Sequence, residues 1–229
     1  MTSQPKTSQP KTSRPKHAEP RQAPRLYLVT PRVEDAQAFS APLAAALAAG
    51  DIAAVLLRLA EADERTQINR AKVLAPIVQD KDVALLLGGH AELVARAGAD
   101  GAHVSGMAEF TVAIELLKPE RIVGAGGLST RHDAMAAAEA GADYVMFGEP
   151  DDAGQRPSFE AIVERVAWWA DVFEAPCVAF AATIEEVALL VKAGADFVAL
   201  GDGLWRDPQT IAATVTRAAA HLRLPESAV

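Results

Sequence analysis

Short apolar runs alternate with longer stretches in which apolar residues recur every three or four positions, and this alternation repeats eight times after residue 25. Short apolar runs are typical of buried strands, and the longer spacing is typical of helices with one buried face. The predicted strands are residues 26–30, 52–57, 83–87, 101–104, 121–124, 144–147, 177–180 and 197–200. The predicted helices are residues 36–49, 65–78, 91–97, 108–117, 131–140, 159–173, 184–193 and 208–222. This order predicts an α/β fold, a single closed TIM (β/α)8 barrel.

The motif Ala-Gly-Ala-Asp occurs three times, each time between a predicted helix and the strand after it. Its glycines, Gly98, Gly141 and Gly194, are 43 and 53 residues apart, which is about two β/α units per interval. Glycine ends a helix well because it adopts the left-handed conformation without strain. In a barrel the helix-to-strand turns serve stability, and the residues that follow each strand form the active face. We therefore expect the motif to be structural.

The first 25 residues differ in composition from the rest. A five-residue unit, Thr-Ser-Gln/Arg-Pro-Lys, occurs three times over residues 2–16 without a large apolar side chain. Such a segment cannot form a hydrophobic core, so we predict a disordered, low-complexity arm over residues 1–25 and a barrel domain over residues 26–229. The arm carries six basic residues and one acidic residue, a net charge of +5. The arm is interpreted as a disordered leader, and the alternative is that it tethers the protein to an acidic surface.

Composition narrows the class of partner. The 229 residues are 50% hydrophobic and carry a formal net charge of -8, so the part after the arm carries -13. A negative protein repels nucleic acid and anionic membranes, so we expect neither as a partner and expect a small molecule instead. Cys177 is the only cysteine and no signal core or membrane span is evident, which favours the reducing cytoplasm. The oligomeric state is open, with a homo-oligomer among the options.

Side chains of the second and fourth strands carry candidate chemistry. Arg58 follows the apolar run of the second strand, and its guanidinium suits a phosphate or carboxylate because it donates two parallel hydrogen bonds. An ion pair with a nearby acid, Glu61, Asp63 or Glu64, is the alternative. His103 lies in the fourth strand, and a histidine at the barrel mouth moves protons near neutral pH. The alternative for His103 is a structural role, as a packed and hydrogen-bonded side chain.

The fifth strand exit is rich in glycine and hydroxyl residues. Gly126, Gly127 and Ser129 precede a helix that Thr130 is expected to cap. Backbone N–H groups and the dipole at such a helix start bind anions, so we predict a phosphate-binding loop. His132 lies in the same segment and is the second candidate for proton transfer. The glycine spacing fits neither a dinucleotide fingerprint nor a Walker loop, so no nucleotide cofactor is expected.

Glycines also mark the later exits. Gly148 follows the sixth strand, and Gly201 and Gly203 flank Asp202 after the eighth. In barrels the exits of strands seven and eight often form a phosphate site, so we expect Gly201 and Gly203 to donate backbone hydrogen bonds to a phosphate. Gly148 is a further candidate to bind the phosphate or the substrate. Asp202 would repel a phosphate unless a cation or Arg206 lies between them.

With these residues in view, the chain resembles the thiamine phosphate synthase and TenI family over nearly all of residues 26–222. Residues 26–30 are similar to the opening strand of that family, residues 98–103 to its Gly-Ala-Asp-Gly-Val-His segment, and residues 141–148 to its sixth strand. The resemblance implies a barrel that joins an aminopyrimidine diphosphate to a thiazole phosphate with magnesium and releases diphosphate. It thus implies a small phosphorylated partner and a place in thiamine biosynthesis.

Several motifs of the family are altered in this chain. The family's Gln-Leu-Arg corresponds to residues 56–58, where Arg58 alone remains, and its Asn-Asp-Arg corresponds to Gly-Gly-His at 88–90. The position of the family's second metal aspartate corresponds to Met107-Ala108, so both expected magnesium carboxylates are missing. Magnesium thus stays a cofactor that the resemblance implies, and we assign no residue as its ligand. Glu92 is a candidate replacement carboxylate. The family's diphosphate-holding Thr-Lys becomes Gln155-Arg156, so Arg156 is the candidate to hold the phosphate.

Two functions follow from these observations. The first is an enzyme of thiamine precursor metabolism, either a synthase with a remodelled metal site or a metal-free isomerase like TenI, in which His103 or His132 moves a proton. The second is a non-catalytic binding or regulatory barrel, in which Glu149 and Asp202 select a less anionic ligand. Another phosphate-handling barrel, such as an epimerase, ranks lower because it would need titrating groups inside the barrel, and no lysine lies at a strand exit.

Overall fold

The computed structural model describes residues 23–151 and 153–223. Eight parallel strands close into a barrel in chain order, so that the last strand pairs with the first. The strands are β1 (Arg25–Val33), β2 (Ile52–Leu59), β3 (Ala84–Gly88), β4 (Gly101–Ser105), β5 (Ile122–Gly126), β6 (Tyr144–Phe147), β7 (Cys177–Ala181) and β8 (Phe197–Leu200). The helices are α1 (Ala36–Ala48), α2 (Glu64–Gln79), α3 (Val94–Ala97), α4 (Gly106–Leu117), α5 (Arg131–Glu139), α6 (Phe159–Val172), α7 (Ile184–Ala193) and α8 (Ile211–His221). The TIM barrel is confirmed.

The eighth helix begins later than predicted. The predicted start at residue 208 is wrong, because α8 begins at Ile211 after Thr210. Asp207 is used in a turn instead. Its carboxylate accepts a hydrogen bond from the Gln209 N–H at 3.0 Å and its carbonyl accepts one from the Thr210 N–H at 3.0 Å.

The aspartates of the Ala-Gly-Ala-Asp motif join neighbouring strands. Each carboxylate accepts a hydrogen bond from a backbone N–H at the start of the strand before its own. The three bonds run to Asp100 from Leu85 (2.8 Å), to Asp143 from Val123 (2.7 Å) and to Asp196 from Cys177 (2.8 Å). Gly98 and Gly194 end α3 and α7 in the left-handed conformation, with φ of 75° and 101°. The motif is therefore structural, as predicted.

Side chains that point into the barrel form a core separate from the one between strands and helices. Large members of this interior core are Tyr27, Val29, Leu56, Leu86, Tyr144, Met146 and Phe180. In the strand register, His103 on β4 lies between Gly88 on β3 and Gly124 on β5. A methyl group at Gly124 would overlap the Tyr144 ring, so this glycine leaves room for an interior side chain from the next strand.

The described part of the chain begins just before β1. Residues 1–22, which make up most of the predicted arm, lie outside the described residues. Among the helices of residues 23–151 and 153–223, none combines the length and apolar character needed to cross a membrane.

Candidate functional site

Arg58 and Asp202 form an ion pair at the barrel mouth. Arg58 is the penultimate residue of β2, and Asp202 follows β8. The Arg58 Nε donates to the Thr30 carbonyl, and the Thr30 hydroxyl accepts the Arg58 backbone N–H at 3.0 Å, so β1 fixes the arginine from two sides. The acid that pairs with Arg58 is thus on the opposite side of β1, and not one of Glu61, Asp63 and Glu64 after β2. Arg58 also places a cation beside Asp202.

Four polar side chains form a hydrogen-bonded chain inside the barrel. The Tyr27 and Tyr144 hydroxyls are 2.8 Å apart, and the Tyr144 hydroxyl is 3.0 Å from His103 Nδ1. On the other side of the imidazole, His103 Nε2 is 3.0 Å from Glu149 Oε2. The chain therefore runs from the barrel interior to the loop after β6. We refer to these four residues as the interior chain.

Both nitrogens of the His103 ring are engaged in this chain. A carboxylate only accepts hydrogen bonds, so His103 Nε2 donates to Glu149. A neutral imidazole then accepts from Tyr144 at Nδ1, whereas an imidazolium donates to it, and the Tyr27 hydroxyl complements either direction. Burial raises the pKa of Tyr27 and of Tyr144 well above the ordinary value, so both phenols stay neutral. His103 is therefore placed as a link within the chain, with neither nitrogen open toward the mouth.

The Glu149 carboxylate also occupies the glycine-rich loop after β5. Its Oε1 accepts the backbone N–H of Gly127, which we expected to meet a phosphate. A methyl group at Gly126 would overlap Glu149 and lie 2.6 Å from His103 Nε2. Gly127 has a φ of 59° and packs against Ser105. The anion at this loop is therefore a side chain of the protein itself, and Gly126 provides the space for it.

The remaining predicted residues near the fifth and sixth exits lie outside the interior chain. Thr130 and Asp133 form the predicted capping box of α5, and His132 is exposed in the first turn of that helix. The Ser129 carbonyl accepts from Arg165 Nη2 at 3.4 Å. Gly148 has a φ of 86°, and a methyl group there would lie 2.7 Å from Ile162 Cδ1. Gly148 is thus required for a tight turn out of β6.

Arg156 is held by a carboxylate. Both of its terminal nitrogens are 3.1 Å from Glu186 Oε2, and each side chain of the pair is 17% exposed. The same Glu186 oxygen accepts the Ala182 N–H at 2.8 Å. Arg156 therefore connects the loop before α6 to the start of α7, and a phosphate would have to share it with Glu186.

A cavity of about 330 Å³ opens between the exits of β7 and β8. Its walls are residues 180–185 on one side and 200–204 on the other, with Thr214 and Arg217 from α8. Gly203 has only the Ala182 carbonyl, at 3.9 Å, near the position of an added methyl group, so it borders open space. Gly201 instead leaves room for the Phe180 ring. The cavity thus contains two of the glycines that we predicted for phosphate binding, Gly201 and Gly203, whereas Gly126, Gly127 and Gly148 lie outside its lining.

Charges of both signs line this cavity. Arg217 Nη2 is 3.9 Å from Glu185 Oε1. Hydrogen bonds from its own backbone and from the Thr183 hydroxyl lower the pKa of the Glu185 carboxyl, and the charge of Arg217 adds to the effect. The start of α7 also faces the cavity, since Thr183 is its N-cap. The positive end of a ten-residue helix and a guanidinium together favour a bound anion.

The described residues do not fit the magnesium site that the resemblance implies. Gly89 and Met107 offer no carboxylate, and Glu92 lies 3.3 Å from His90 Nδ1. Glu109, which we did not consider from the sequence, accepts the Ser105 N–H at 3.1 Å. Across residues 23–151 and 153–223, no group of three or more His, Cys, Asp or Glu side chains could hold a metal ion.

The sequence reasoning missed the interior chain as a unit. His103 was chosen for its place in a strand and Glu149 was considered only as a residue that selects a less anionic ligand, whereas Tyr27 and Tyr144 were not assigned to a site. One signal was available: Tyr27 and Tyr144 are the only tyrosines of the chain, and each lies near the start of a predicted strand. A polar aromatic residue in a buried strand requires a hydrogen-bond partner in the interior.

Comparisons of the sequence with known proteins indicate one family. The family described as thiamine monophosphate synthase matches residues 26–204. A thiamine-phosphate synthase of Rhodospirillum centenum is 45% identical over 194 residues, which are 83% of this chain and 94% of the relative. The thiamine-phosphate synthase of Hyphomonas neptunium is 39% identical, over 83% of this chain and 90% of its own. The structure of a thiamine phosphate pyrophosphorylase from Pyrococcus furiosus matches with a TM-score of 0.72 and 19% identity, over 88% of this chain and 96% of that one, and shows the same fold.

Proposed function

The chain belongs to the thiamine monophosphate synthase family of thiamine biosynthesis, and on this premise we propose that it binds a thiazole phosphate or pyrimidine phosphate at the barrel mouth. The phosphate lies in the cavity between β7 and β8, against the backbone of Gly201 and Gly203 and the start of α7. A cavity of about 330 Å³ is within the size range of small-ligand pockets. This cavity is the observation that carries the proposal.

The fifth exit is less suited to the phosphate. The Glu149 carboxylate already accepts the Gly127 N–H, and a second anion there would be repelled. The cavity at β7 and β8 also has two carboxylates in its lining, Asp202 and Glu185, but each lies beside an arginine, and the start of α7 adds its positive end. A phosphate that enters the mouth is therefore directed away from β5 and toward β8.

Magnesium-assisted joining of the two substrates, as the resemblance implies it, is not supported by the described carboxylates. Magnesium is usually held through one or two carboxylates together with substrate phosphates, and it would neutralise the departing diphosphate. Because Gly89 and Met107-Ala108 stand where those carboxylates are expected, a second candidate function deserves a test: a barrel that binds the phosphorylated ligand without joining the substrates.

The proposal is tested by calorimetry with thiazole phosphate and with aminopyrimidine diphosphate, each with and without magnesium, beside an assay for the joined product. We expect at least one ligand to bind without magnesium. Product formed only with magnesium would contradict the binding-only candidate. Binding without product under all conditions would contradict the synthase reaction, and the absence of binding would contradict the proposal itself.

A variant locates the phosphate. Gly203→Glu places a carboxylate in the cavity, where the open space accommodates it, and we expect it to weaken binding more than about tenfold by repulsion. Ala153→Glu adds the same charge to an exposed loop residue and serves as the control. If Gly203→Glu binds as tightly as Ala153→Glu, the phosphate lies elsewhere.

Three further expectations from the sequence belong to this proposal. They are a small phosphorylated molecule as the partner, a cytoplasmic location and a homo-oligomer as one option for the open oligomeric state. The candidate proton-transfer role of His132 is part of it as well, and it requires the ligand to reach the exposed first turn of α5.

A further inference from the structure

Glu149 is the member of the interior chain that a ligand at the mouth meets first. Its side chain is 19% exposed, whereas that of His103 is 6% exposed. Both ring nitrogens of His103 are hydrogen-bonded to Tyr144 and Glu149. A polar group of the ligand therefore contacts the carboxylate, and the imidazole lies behind it.

This carboxylate is fixed in place and has capacity left. His103 Nε2 holds one oxygen and the Gly127 N–H holds the other. A carboxylate accepts about four hydrogen bonds in total, so each oxygen can accept another. Because both oxygens are already oriented by the protein, a ligand N–H gains a hydrogen bond without the entropic cost of ordering the side chain.

The local sequence provides space for this arrangement. Glu149 stands between Gly148 and Pro150, where the resemblance implies Gly followed directly by Pro. Gly126 has no side chain that would overlap the carboxylate and the imidazole. Two separate positions of the chain, 23 residues apart, thus accommodate one carboxylate at the mouth.

The charge of this group determines the chemistry that it can bind. A carboxylate in a partly buried position repels phosphate and attracts hydrogen-bond donors. Among heterocycles, carboxylates accept hydrogen bonds from the exocyclic amino group of cytosine, which is an aminopyrimidine. A thiazole ring without such an amino group offers no equivalent donor.

We propose that Glu149 is a specificity-determining residue that accepts a hydrogen bond from the exocyclic amino group of an aminopyrimidine at the barrel mouth. This inference rests on the proposed function, since it assumes that a phosphorylated heterocycle binds at the barrel mouth. It adds which side chain distinguishes an aminopyrimidine from a ligand without the amino group.

The test uses calorimetry on the full chain with three probes: aminopyrimidine diphosphate, the analogue in which hydrogen replaces the amino group, and inorganic diphosphate. In the wild type we expect the amino compound to bind about 10- to 100-fold more tightly than the analogue, as for a hydrogen bond to a charged group. Glu149→Gln should reduce this preference, and Glu149→Ala should abolish it. Both variants should bind inorganic diphosphate at least as tightly as the wild type.

Glu160→Gln is the control, because Glu160 is an exposed carboxylate in the first turn of α6 and loses the same charge. Thermal unfolding identifies any variant that does not fold. If Glu149→Ala does not fold, the comparison is made with the isosteric Glu149→Gln variant. If both Glu149 variants keep the wild-type preference, or lose all three probes equally, this inference is overturned. If the wild type binds thiazole phosphate but no pyrimidine, the role of Glu149 is overturned and the proposed function stands. If the wild type binds neither ligand, the proposed function is overturned as well.

Discussion

Arg58 on β2 and Asp202 after β8 are paired across the barrel mouth, although 144 residues separate them in the chain. Asp202 is 66% exposed and Arg58 33%, so water and salt screen the pair. Its contribution to stability is about 0–1 kcal/mol. The larger effect is on binding, because Asp202 neutralises a guanidinium that faces the same mouth as the proposed phosphate cavity.

Asp202→Asn should strengthen phosphate binding. It leaves the charge of Arg58 unopposed and removes a carboxylate from the cavity wall, so we expect thiazole phosphate to bind about 3- to 10-fold more tightly in calorimetry at low salt. Asp51→Asn is the matched control, because Asp51 pairs with Arg25 at the opposite end of the barrel. Equal affinities of the two variants would show that Asp202 does not act on the phosphate.

Tyr144→Phe should destabilise the protein more than Tyr27→Phe. The Tyr144 hydroxyl joins Tyr27 to His103, so its removal leaves two buried polar atoms, the Tyr27 hydroxyl and His103 Nδ1, without a partner, at a cost of about 1–3 kcal/mol. Tyr27→Phe removes the last hydroxyl of the interior chain and leaves only the Tyr144 hydroxyl without one of its partners. In urea unfolding, the double variant should cost less than the sum of the single ones, because the two hydroxyls share a bond. Strict additivity would contradict a coupled chain.

The two tyrosines should resist ionisation in the folded protein. Burial raises the pKa of both, while an unfolded tyrosine ionises near pH ~10. The folded state therefore holds these protons at pH values where the unfolded state releases them, so stability falls as the pH rises above ~10. Because the chain has only these two tyrosines, phenolate absorbance reports on them directly. Phenolate that appears near pH ~10 before unfolding would contradict their burial.

Gly126→Ala should disturb the junction between β5 and the interior chain. The added methyl group overlaps Glu149 and approaches His103, and overpacking of this kind costs about 1–3 kcal/mol. Gly203→Ala is the comparison for stability, because its methyl group meets open space, and we expect a change within about 0.5 kcal/mol. Chemical unfolding of both variants measures the difference. Equal stabilities would mean that Gly126 is not needed for space.

The sequence was sufficient to predict the barrel and most of its element bounds. β6 and β8 have the predicted limits, because apolar runs bounded by a helix-ending glycine and a polar exit determine where a buried strand starts and stops. The start of α8 was wrong, because Asp207 and Pro208 suit a helix start and a turn equally well. The hydrogen bonds that Asp207 accepts from the Gln209 and Thr210 N–H groups decide in favour of the turn.

The site could be predicted only in part. The glycines after β5 suggested an anion-binding loop, but the anion is Glu149, from a different loop. Local spacing cannot show which distant side chain fills the space beside a glycine. The partner of Arg58 was missed for the same reason, since Asp202 comes close to it only when β8 pairs with β1.

A crystal structure of the protein with bound thiazole phosphate or aminopyrimidine diphosphate would locate the phosphate directly. We predict that the phosphate lies between β7 and β8, within hydrogen-bond distance of the backbone at Gly201 or Gly203, and that Glu149 remains hydrogen-bonded to His103 and Gly127. A phosphate bound to the Gly127 N–H, with the Glu149 carboxylate displaced from it, would rule out the proposed site.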